Sequence, residues 1–292
     1  MRIALFGKPF KKKHNDAVQH LVDRIHGLDS EAFVYNDFMD FLKGSMKVPS
    51  TLKTFNCAED IKGYDVLFSV GGDGTFLESC TLASENGIPI MGINTGTLGF
   101  LSNVGTDSID EAIDSIVSGK TWIDERSLLK VEAEGVDLGT FPYALNEVAI
   151  HKRDTASMVV VEVHREERFV NTYWADGLIV STATGSTAYN LSVGGPIISP
   201  SSQVVVISPI APHNLTNRPL IVPIEGEITL SPDGRDASFL LSLDSRSFRI
   251  APRSKVTVNP ASFKAQFLNL AHQNFFNIIR SKMHWGIDPR ER

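Results

Sequence analysis

The chain has 292 residues, of which 42% are apolar, and a formal net charge of −6. This length suits one large domain or two ordinary ones, and the charge argues against binding to nucleic acid or an anionic membrane. Its two cysteines, Cys57 and Cys80, are too few for a disulfide framework or a zinc site of four thiolates. We therefore expect a cytoplasmic protein.

Neither secretion nor membrane insertion is expected from the start of the chain. The segment MRIALFGKPF enters a strand-like run without the apolar stretch of a signal peptide, and no later run approaches 18 uninterrupted apolar residues. One compact basic cluster follows at Lys11 to Lys13. We interpret this cluster as a solvated loop rather than as a patch that steers phosphates.

Short apolar runs alternate with helical patterns over the first hundred residues, which is typical of a parallel sheet with crossover helices. The predicted elements are strands at 3–6, 65–70 and 88–93 and helices at 18–25 and 76–85. Ser108, with Glu111 three positions later, matches a capping box and predicts a further helix that ends near Gly119. We predict an α/β domain at residues 1–125.

From about residue 126, β-branched and alternating runs separated by glycine and proline replace this pattern. The predicted strands are at 128–132, 158–165, 169–174 and 204–207. A short helix is predicted at 185–193 within an otherwise all-β domain at 126–267. The tail at 268–292 has apolar residues near helical spacing, from Leu270 to Ile279, and is predicted to form a helix that packs back on the fold.

The turn GGDGT lies between a predicted strand and a predicted helix, where backbone N–H groups favour an anion. We predict a phosphate-binding turn made of Gly71, Gly72, Gly74 and Thr75, and the missing lysine excludes a Walker A loop. Asp73 would repel phosphates unless it binds a cation or accepts a proton from an attacking hydroxyl, as a kinase requires. Alternatively, the glycines only form a tight turn and Asp73 caps the helix.

Two more polar stretches are candidates for ligand binding. Asn146 and Glu147 adjoin in the strand-like LNEVAIH, and strand neighbours point to opposite faces, so both can serve one ligand only at a bulge or strand end. Hydroxyl groups crowd around Gly185 in excess of what a turn needs, although a Ser/Thr-rich turn is the alternative. These hydroxyls belong to Ser181, Thr182, Thr184, Ser186, Thr187 and Tyr189.

Together, these stretches resemble the NAD kinase family over nearly the whole chain. The motifs read GGDGT (71–75), GINTGTLGFL (92–101), NEVAIH (146–151), DGLIVSTATGSTAY (176–189), SPIAPHNLTNRP (208–219) and KMHWG (282–286). The first also occurs in diacylglycerol, sphingosine and phosphofructokinases, whereas the others do not. Two departures are Ala183, where the family usually has proline, and Asp244-Ser245-Arg246, where it usually has Asp-Gly-Gln.

The resemblance implies an enzyme that transfers a terminal phosphoryl group from ATP or polyphosphate to the 2′-hydroxyl of the adenosine ribose of NAD. Magnesium or another divalent cation would arrive with the nucleotide rather than occupy a dedicated metal site. The implied fold is a Rossmann-like α/β domain, a β-sandwich-like all-β domain and a C-terminal helix that returns to the first domain.

The resemblance also assigns roles to individual residues. Asp73 would orient the 2′-hydroxyl and accept its proton, Phe100 would flank the adenine, and Asn146 with Glu147 would hold the ribose. The implied NAD-binding residues are Gly74, Phe100, Asn146, Glu147, Asp176, Thr184, Thr187, Ala188, Tyr189 and Ser192.

Family members place residues matching Asp176 and Tyr189 at a subunit contact, which implies a homodimer or homotetramer. The expected partners are NAD and ATP, without nucleic acid or membrane. Two other functions stay open: a lipid or sugar kinase that shares only the GGDGT turn, and a non-catalytic NAD-binding regulator. No acyl pocket is recognisable in the sequence, which argues against the first, and the presence of Asp73 argues against the second.

Overall fold

The computed structural model describes residues 1–96, 99–153 and 158–283. The chain forms two compact units, of which the first comprises Met1–Glu125 with the chain from Ala265 onward and the second comprises Arg126–Lys264. The domain ranges 1–125, 126–267 and 268–292 stay predictions, and residues 284–292 of the third range lie outside the described residues.

The first unit alternates strands and helices along the chain. Its elements are β1 (Arg2–Gly7), α1 (Asn15–His26), β2 (Glu31–Tyr35), α2 (Asn36–Ser45), β3 (Lys53–Phe55), β4 (Val66–Val70), α3 (Asp73–Ala83), β5 (Ile90–Asn94), β6 (Val104–Gly105) and α4 (Ile109–Val117). The apolar residues that predicted α1, including Leu21 and Ile25, are fully buried and share a core with Ile3 and Leu5 of β1. The helix therefore packs on the sheet through its apolar stripe.

The strands of this unit lie in the order β3-β2-β1-β4-β5, and all of their pairings are parallel. This is the strand order of dinucleotide-binding Rossmann folds. The chain runs outward from β1 in both directions, so the order reverses between β1 and β4. Open α/β sheets bind ligands at the carboxyl ends of the strands at such a reversal.

Two local predictions for this unit need correction. The sequence patterns predict no element at residues 28–64, but this segment contains β2, α2 and β3. The change from β2 to α2 has no local signal, because no glycine or proline separates the two elements. The capping box is also wrong. Ser108 precedes α4 but makes no capping hydrogen bond, since it ends a 3-10 turn with φ −107° and ψ 14° and its hydroxyl lies 3.2 Å from Asp107 Oδ1.

The second unit consists almost entirely of strands. Its elements are β7 (Thr121–Ala133, which begins in the first unit), β8 (Tyr143–Ala144), β9 (Glu147–His151), β10 (Val159–Arg165), β11 (Arg168–Ala175), β12 (Gly177–Thr182), α5 (Tyr189–Ser192), β13 (Val204–Ile210), β14 (Leu220–Pro223), β15 (Ile228–Gly234), β16 (Phe239–Leu243), β17 (Arg246–Ile250) and β18 (Val256–Leu270, which ends in the first unit).

These strands form two antiparallel layers over one core. One layer has the order β14-β13-β12-β9-β16-β17 and the other has the order β11-β10-β15-β18. Val161 and Val163 of β10 share a buried apolar cluster with Leu178 and Val180 of β12. Alternate residues of β10 thus enter the core, as expected for a half-buried strand in a sandwich.

The end of the described chain returns to the first unit. Phe267 of β18 pairs in parallel with Ile90 of β5, which adds a further strand to that sheet, and α6 (Phe275–Met283) follows. Leu270, predicted to belong to the tail helix, is instead the last residue of β18. The described residues contain no helix long and apolar enough to cross a membrane.

Candidate active site

The GGDGT turn connects β4 to α3, and Asp73 is the first residue of that helix. Gly71 lies against Thr75, because a Cβ on Gly71 would lie 2.3 Å from the Thr75 hydroxyl oxygen. Gly72 and Gly74 have open space at their Cβ positions. The turn therefore leaves the N-terminus of an 11-residue helix accessible beside two uncovered glycines, which allows a phosphate to approach backbone N–H groups.

The Asp73 carboxylate is held by the loop that follows β5. Its Oδ2 accepts the N–H of Phe100 at 2.9 Å, and its Oδ1 accepts the N–H groups of Leu101 and Ser102 at 3.1 and 3.0 Å. A carboxylate offers about four lone-pair sites, so these bonds leave room for about one further partner. Asp73 is thus oriented by the loop, with acceptor capacity remaining.

Two glycines allow the loop to close on Asp73. A Cβ on Gly99 would lie 1.7 Å from Asp73 Oδ1, and a Cβ on Gly92 would lie 2.7 Å from the Cα of Ser102. The Ser102 hydroxyl also donates to the carbonyl of Gly71 at 3.1 Å. The loop and the GGDGT turn are therefore one hydrogen-bonded assembly that fixes the carboxylate.

A pocket of about 510 Å³ lies beside this assembly, at the carboxyl ends of β1, β4 and β5. It is lined by Lys8, Pro9, Phe10, Lys11, Lys13, His14, Gly71, Gly72, Thr75, Thr95 and Gly96. The position coincides with the reversal of strand order. Three lysines and a glycine turn make this pocket suited to an anion.

The basic cluster at Lys11 to Lys13 is exposed, as a solvated loop should be, but Lys11 and Lys13 also line the pocket. The pKa of the neighbouring His14 is lowered by burial and by the charges of Lys13 and Lys11, and its Nε2 has no hydrogen-bond partner among the described residues. No local sequence pattern links this cluster to the glycine turn, because the pairing of β1 with β4 brings them together.

Asn146 and Glu147 lie where β9 begins, and their backbone groups are bonded within the second unit. The N–H groups of Leu145, Asn146 and Glu147 donate to the Asp244 carboxylate at 2.9, 2.8 and 3.1 Å. The N–H of Thr182 donates to the Asn146 carbonyl at 2.8 Å, and the Thr182 hydroxyl donates to the Leu145 carbonyl at 2.6 Å. The pair is thus at a strand end, where both side chains can serve one ligand.

The side chains of this pair have free acceptor atoms. Asn146 Oδ1 and Glu147 Oε2 are buried and have no hydrogen-bond partner among the described residues. Burial, and secondly the Asp244 carboxylate, raises the pKa of Glu147 to about 8, while the backbone N–H of Tyr189 opposes the rise. Buried polar atoms are nearly always paired, and an unpaired one costs about 1–3 kcal/mol. Two adjacent unpaired acceptors therefore mark a place for hydroxyl or amide donors of a ligand.

The hydroxyl-rich stretch packs against this pair. It folds as a 3-10 turn at Thr184–Thr187 followed by α5, and a Cβ on Gly185 would lie 2.2 Å from the Asn146 carbonyl oxygen. Close packing there admits only glycine. Among the predicted site residues, Thr184 is buried, Thr187 and Ala188 are half-buried, and Tyr189 and Ser192 are exposed.

Asp176 lies apart from Asn146. It precedes β12, which runs antiparallel to β9, so it lies beside the far end of β9. Its Oδ1 forms an ion pair with Lys152 Nζ at 2.6 Å. The ring of Tyr189 stacks on His151 at the same end of β9, with 5.8 Å between the ring centroids. The structure thus brings Asn146, Glu147 and the 184–188 turn together and separates Asp176 from them.

Two buried charged residues support this region without having been proposed from the sequence. Asp244 accepts the three N–H groups described above, and Arg126 donates to the Thr184 hydroxyl at 3.4 Å. The departure from the family pattern at residues 244–246 was the one available signal for Asp244. No sequence signal pointed to Arg126, because a single arginine in a strand is common.

No group of three or more His, Cys, Asp or Glu side chains that could hold a metal occurs within residues 1–96, 99–153 and 158–283. Asp73 is the carboxylate of the phosphate turn and keeps about one free lone-pair site. Magnesium bound to nucleotide phosphates commonly takes only one or two protein carboxylates. The residues present therefore fit a cation that arrives with a nucleotide.

A Rossmann-type sheet with an anion pocket at its reversal point, joined to a β-sandwich with buried ligand acceptors, defines a two-unit nucleotide-binding phosphotransferase. Comparison with known proteins gives the family. The ATP-NAD kinase N-terminal domain model matches residues 10–121, and the ATP-NAD kinase C-terminal domain model matches residues 145–270.

Individual relatives agree over the full length. The chain is 40% identical to an NAD kinase of Cytophaga hutchinsonii over 291 residues, which cover 99% of this chain and 100% of that protein. The crystal structure of an Archaeoglobus fulgidus NAD kinase in complex with ATP has a TM-score of 0.71 and 25% identity, covering 96% of this chain and 97% of that one. Yeast NADH kinase complexed with NADH has a TM-score of 0.88 at 22% identity, covering 99% and 89%, and shows the shared fold.

This chain belongs to the NAD kinase family and is a kinase. The predicted family, fold class and enzyme class are thereby confirmed. Because both family models match, one in each half of the chain, the resemblance is not limited to the GGDGT turn, as a lipid or sugar kinase would require.

Proposed function

We propose that this protein transfers the terminal phosphoryl group of ATP to the 2′-hydroxyl of the adenosine ribose of NAD, with NADP as the product. The observation that carries the proposal is the pair of buried, unpartnered acceptors, Asn146 Oδ1 and Glu147 Oε2. A ribose presents two adjacent hydroxyl donors. The 3′-hydroxyl would donate to this pair of acceptors and reduce the cost of leaving them unsatisfied, while the 2′-hydroxyl keeps its hydrogen for Asp73.

The donor phosphates belong in the pocket beside the GGDGT turn. Lys11 and Lys13 supply positive charge, whereas Lys8 is ion-paired with Glu78, and the uncovered N-terminus of α3 supplies N–H donors. The ATP complex of the Archaeoglobus fulgidus relative supports ATP as the donor. Magnesium, carried in on the nucleotide, would neutralise phosphate charge.

Phosphoryl transfer proceeds through a loose transition state, so the protein must position the reactants and stabilise charge rather than supply a strong base. Asp73 orients the 2′-hydroxyl and accepts its proton. The N–H groups of Phe100, Leu101 and Ser102 keep the carboxylate in one orientation for this task.

The remaining site assignments complete the NAD site. Thr184, Thr187 and Ala188 line the adenosine pocket, and Gly74 and Phe100 contact the nucleotide. Support comes from the packing of the 184–188 turn against Asn146. Tyr189, Ser192 and Asp176 are less enclosed, which suits a role near the nicotinamide end, at a contact between subunits of a homodimer or homotetramer. Both cysteines are free thiols, which suits a reducing cytoplasm.

The ribose assignment is tested by NAD binding to Asn146→Ala and Glu147→Ala. Each change should weaken binding by about 1–3 kcal/mol, because ribose hydroxyls or their remaining partner lose a hydrogen bond in a desolvated place. Asn171→Ala is a matched control, since Asn171 lies in β11 of the same unit and its side chain contacts Asn217, at 3.5 Å, and the Tyr173 side chain rather than a proposed ligand-binding residue. Calorimetry that gives wild-type NAD affinity for both site variants would make the pair structural and refute the assignment.

A further inference from the structure

The hairpin between β16 and β17 anchors the segment that leads into β9. Asp244 lies in the turn of this hairpin and has a φ of +51°, which residues other than glycine, asparagine and aspartate rarely adopt. Its carboxylate is buried and accepts the N–H groups of three consecutive residues, 145–147. One side chain therefore fixes the backbone of both proposed ribose-binding residues.

Arg246 anchors the same segment from the other side of the turn. Its guanidinium donates to the carbonyls of Phe141 and Tyr143 and lies over the Phe141 ring at 5.5 Å from the centroid. Glutamine, the usual family residue at this position, has one amide group and would not hold two carbonyls with the fixed fork of a guanidinium. In this chain the Arg246 guanidinium therefore supplies a second anchor.

Burial of a carboxylate is costly unless it is well paired. Asp244 meets this requirement with three N–H groups and the nearby Arg246 charge, which oppose the rise that burial causes in its pKa. The N–H groups of residues 145–147 are thereby all bonded, while Asn146 Oδ1 and Glu147 Oε2 have no hydrogen-bond partner among the described residues. The polar groups of the hairpin thus orient the backbone of Asn146 and Glu147 and leave one acceptor on each side chain for a ligand.

We propose that Asp244 and Arg246 are positioning residues for NAD: they hold residues 141–147 so that Asn146 and Glu147 present their free acceptors to the ribose. This inference rests on the proposed function of that pair. The two residues act through the backbone, and neither needs to contact NAD.

Asp244 also acts on Glu147 through its charge. The Asp244 charge raises the pKa of the Glu147 carboxyl, and the backbone N–H of Tyr189 lowers it. The Arg246 charge acts on Asp244. A carboxylate accepts ribose hydroxyls more strongly when ionised. NAD affinity of the wild-type protein should therefore rise as the pH passes the Glu147 pKa of about 8. Without the Asp244 charge, the pKa of Glu147 falls and the rise should move to lower pH.

The test compares Asp244→Asn and Arg246→Gln with Asp137→Asn, a control in which another turn aspartate of the same unit bonds only the Gly139 N–H, at 2.8 Å. We expect the KM for NAD to rise by about 10- to 100-fold in Asp244→Asn and by about 3- to 10-fold in Arg246→Gln, because small displacements of binding groups are costly. The KM for ATP should stay within about two-fold in both. In Asp244→Asn the pH at which the KM for NAD decreases should also be lower than in the wild type.

The outcomes separate this inference from the function on which it rests. An unchanged NAD KM and pH profile in Asp244→Asn, with Asn146→Ala and Glu147→Gln both weakening NAD, would overturn the positioning role alone. If Asn146→Ala and Glu147→Gln also left NAD binding unchanged, the ribose assignment itself would fail. Should Asp244→Asn not fold, Arg246→Gln decides: a wild-type KM for NAD in that variant would overturn the proposal, and a selective increase would support it.

Discussion

The hydrogen bonds of Asp73 suit the proton-accepting role that we propose for it. Three backbone N–H groups of the loop after β5 take three of its lone-pair sites, and these bonds fix its orientation relative to the glycine turn. The remaining site is available to a hydroxyl or a cation. An aspartate that served only as a helix cap would instead bond the first turn of α3.

Replacing Asp73 by asparagine should lower turnover by about two to four orders of magnitude, the range for a positioned acid–base group, while NAD affinity stays within a few-fold. Asparagine keeps the size and one acceptor oxygen, so the fold should persist. Asp60→Asn is the matched control, since Asp60 accepts the N–H groups of Asn56 and Cys57 at an exposed turn of the same unit. Near wild-type turnover in folded Asp73→Asn would remove Asp73 from the chemistry.

Glu147 makes stability depend on pH. Its pKa rises from an ordinary 4.5 to about 8 on folding, so the folded state keeps a proton that the unfolded state loses. The free energy of unfolding should therefore fall as the pH increases from about 4.5 to 8. At about 1.4 kcal/mol per pKa unit, the loss is of the order of 5 kcal/mol.

Glu147→Gln should remove this dependence, because glutamine carries no titrating proton. In urea unfolding between pH 5 and 9, the free energy of unfolding of the variant should increase relative to that of the wild type as the pH rises. Glu132→Gln, in an exposed pair with Lys130, is the control that should leave the pH profile unchanged. Parallel profiles for wild type and Glu147→Gln would mean that Glu147 is ionised in the folded protein at neutral pH.

At the scale of elements, the loop after β5 depends on a glycine. Gly99→Ala would place a Cβ 1.7 Å from Asp73 Oδ1, so either the loop or the carboxylate must move. We expect at least about a ten-fold loss of kcat, since displacement of a reacting group by about 1 Å is costly. Gly44→Ala in α2 is the control: nothing lies within 4 Å of its Cβ position, so it should stabilise the helix by about 0.5–1 kcal/mol. Equal kcat values for the two variants would show that the loop does not orient Asp73.

The sequence predicted those elements whose signals are local. The apolar periodicity of α1 and the β-branched run of β10 follow from burial of one face, and both elements formed as expected. β2 and α2 were missed because α2 follows β2 directly, with no glycine or proline between them, and β3 because it has only three residues. Contacts set by sheet order, such as Lys13 beside the glycine turn or Asp244 beneath residues 145–147, depend on pairing between distant strands, which no local pattern specifies.

At the scale of the whole molecule, we predict that activity depends on assembly. Large apolar side chains of the second unit are exposed, including Phe169 at 60%, Trp174 at 50% and Leu215 at 84%. If residues near Asp176 and Tyr189 complete a neighbour's site, NAD binds only the assembled form and shifts the equilibrium toward it. Specific activity should then fall on dilution, and NAD should oppose the fall. Light scattering paired with activity measures both, and a fully active monomer would refute the shared site.

The most direct measurement is NADP formation by the purified protein, with product analysis that locates the new phosphate. NAD is supplied with ATP, another nucleoside triphosphate or polyphosphate in turn, with magnesium present, and NADH is tested in parallel as the acceptor. We predict NADP that carries the new phosphate on the adenosine ribose 2′-oxygen with ATP as the donor, and a loss of this product in Asp73→Asn. Folded protein that binds NAD but yields no NADP with any donor would contradict the assignment and leave a non-catalytic NAD-binding protein.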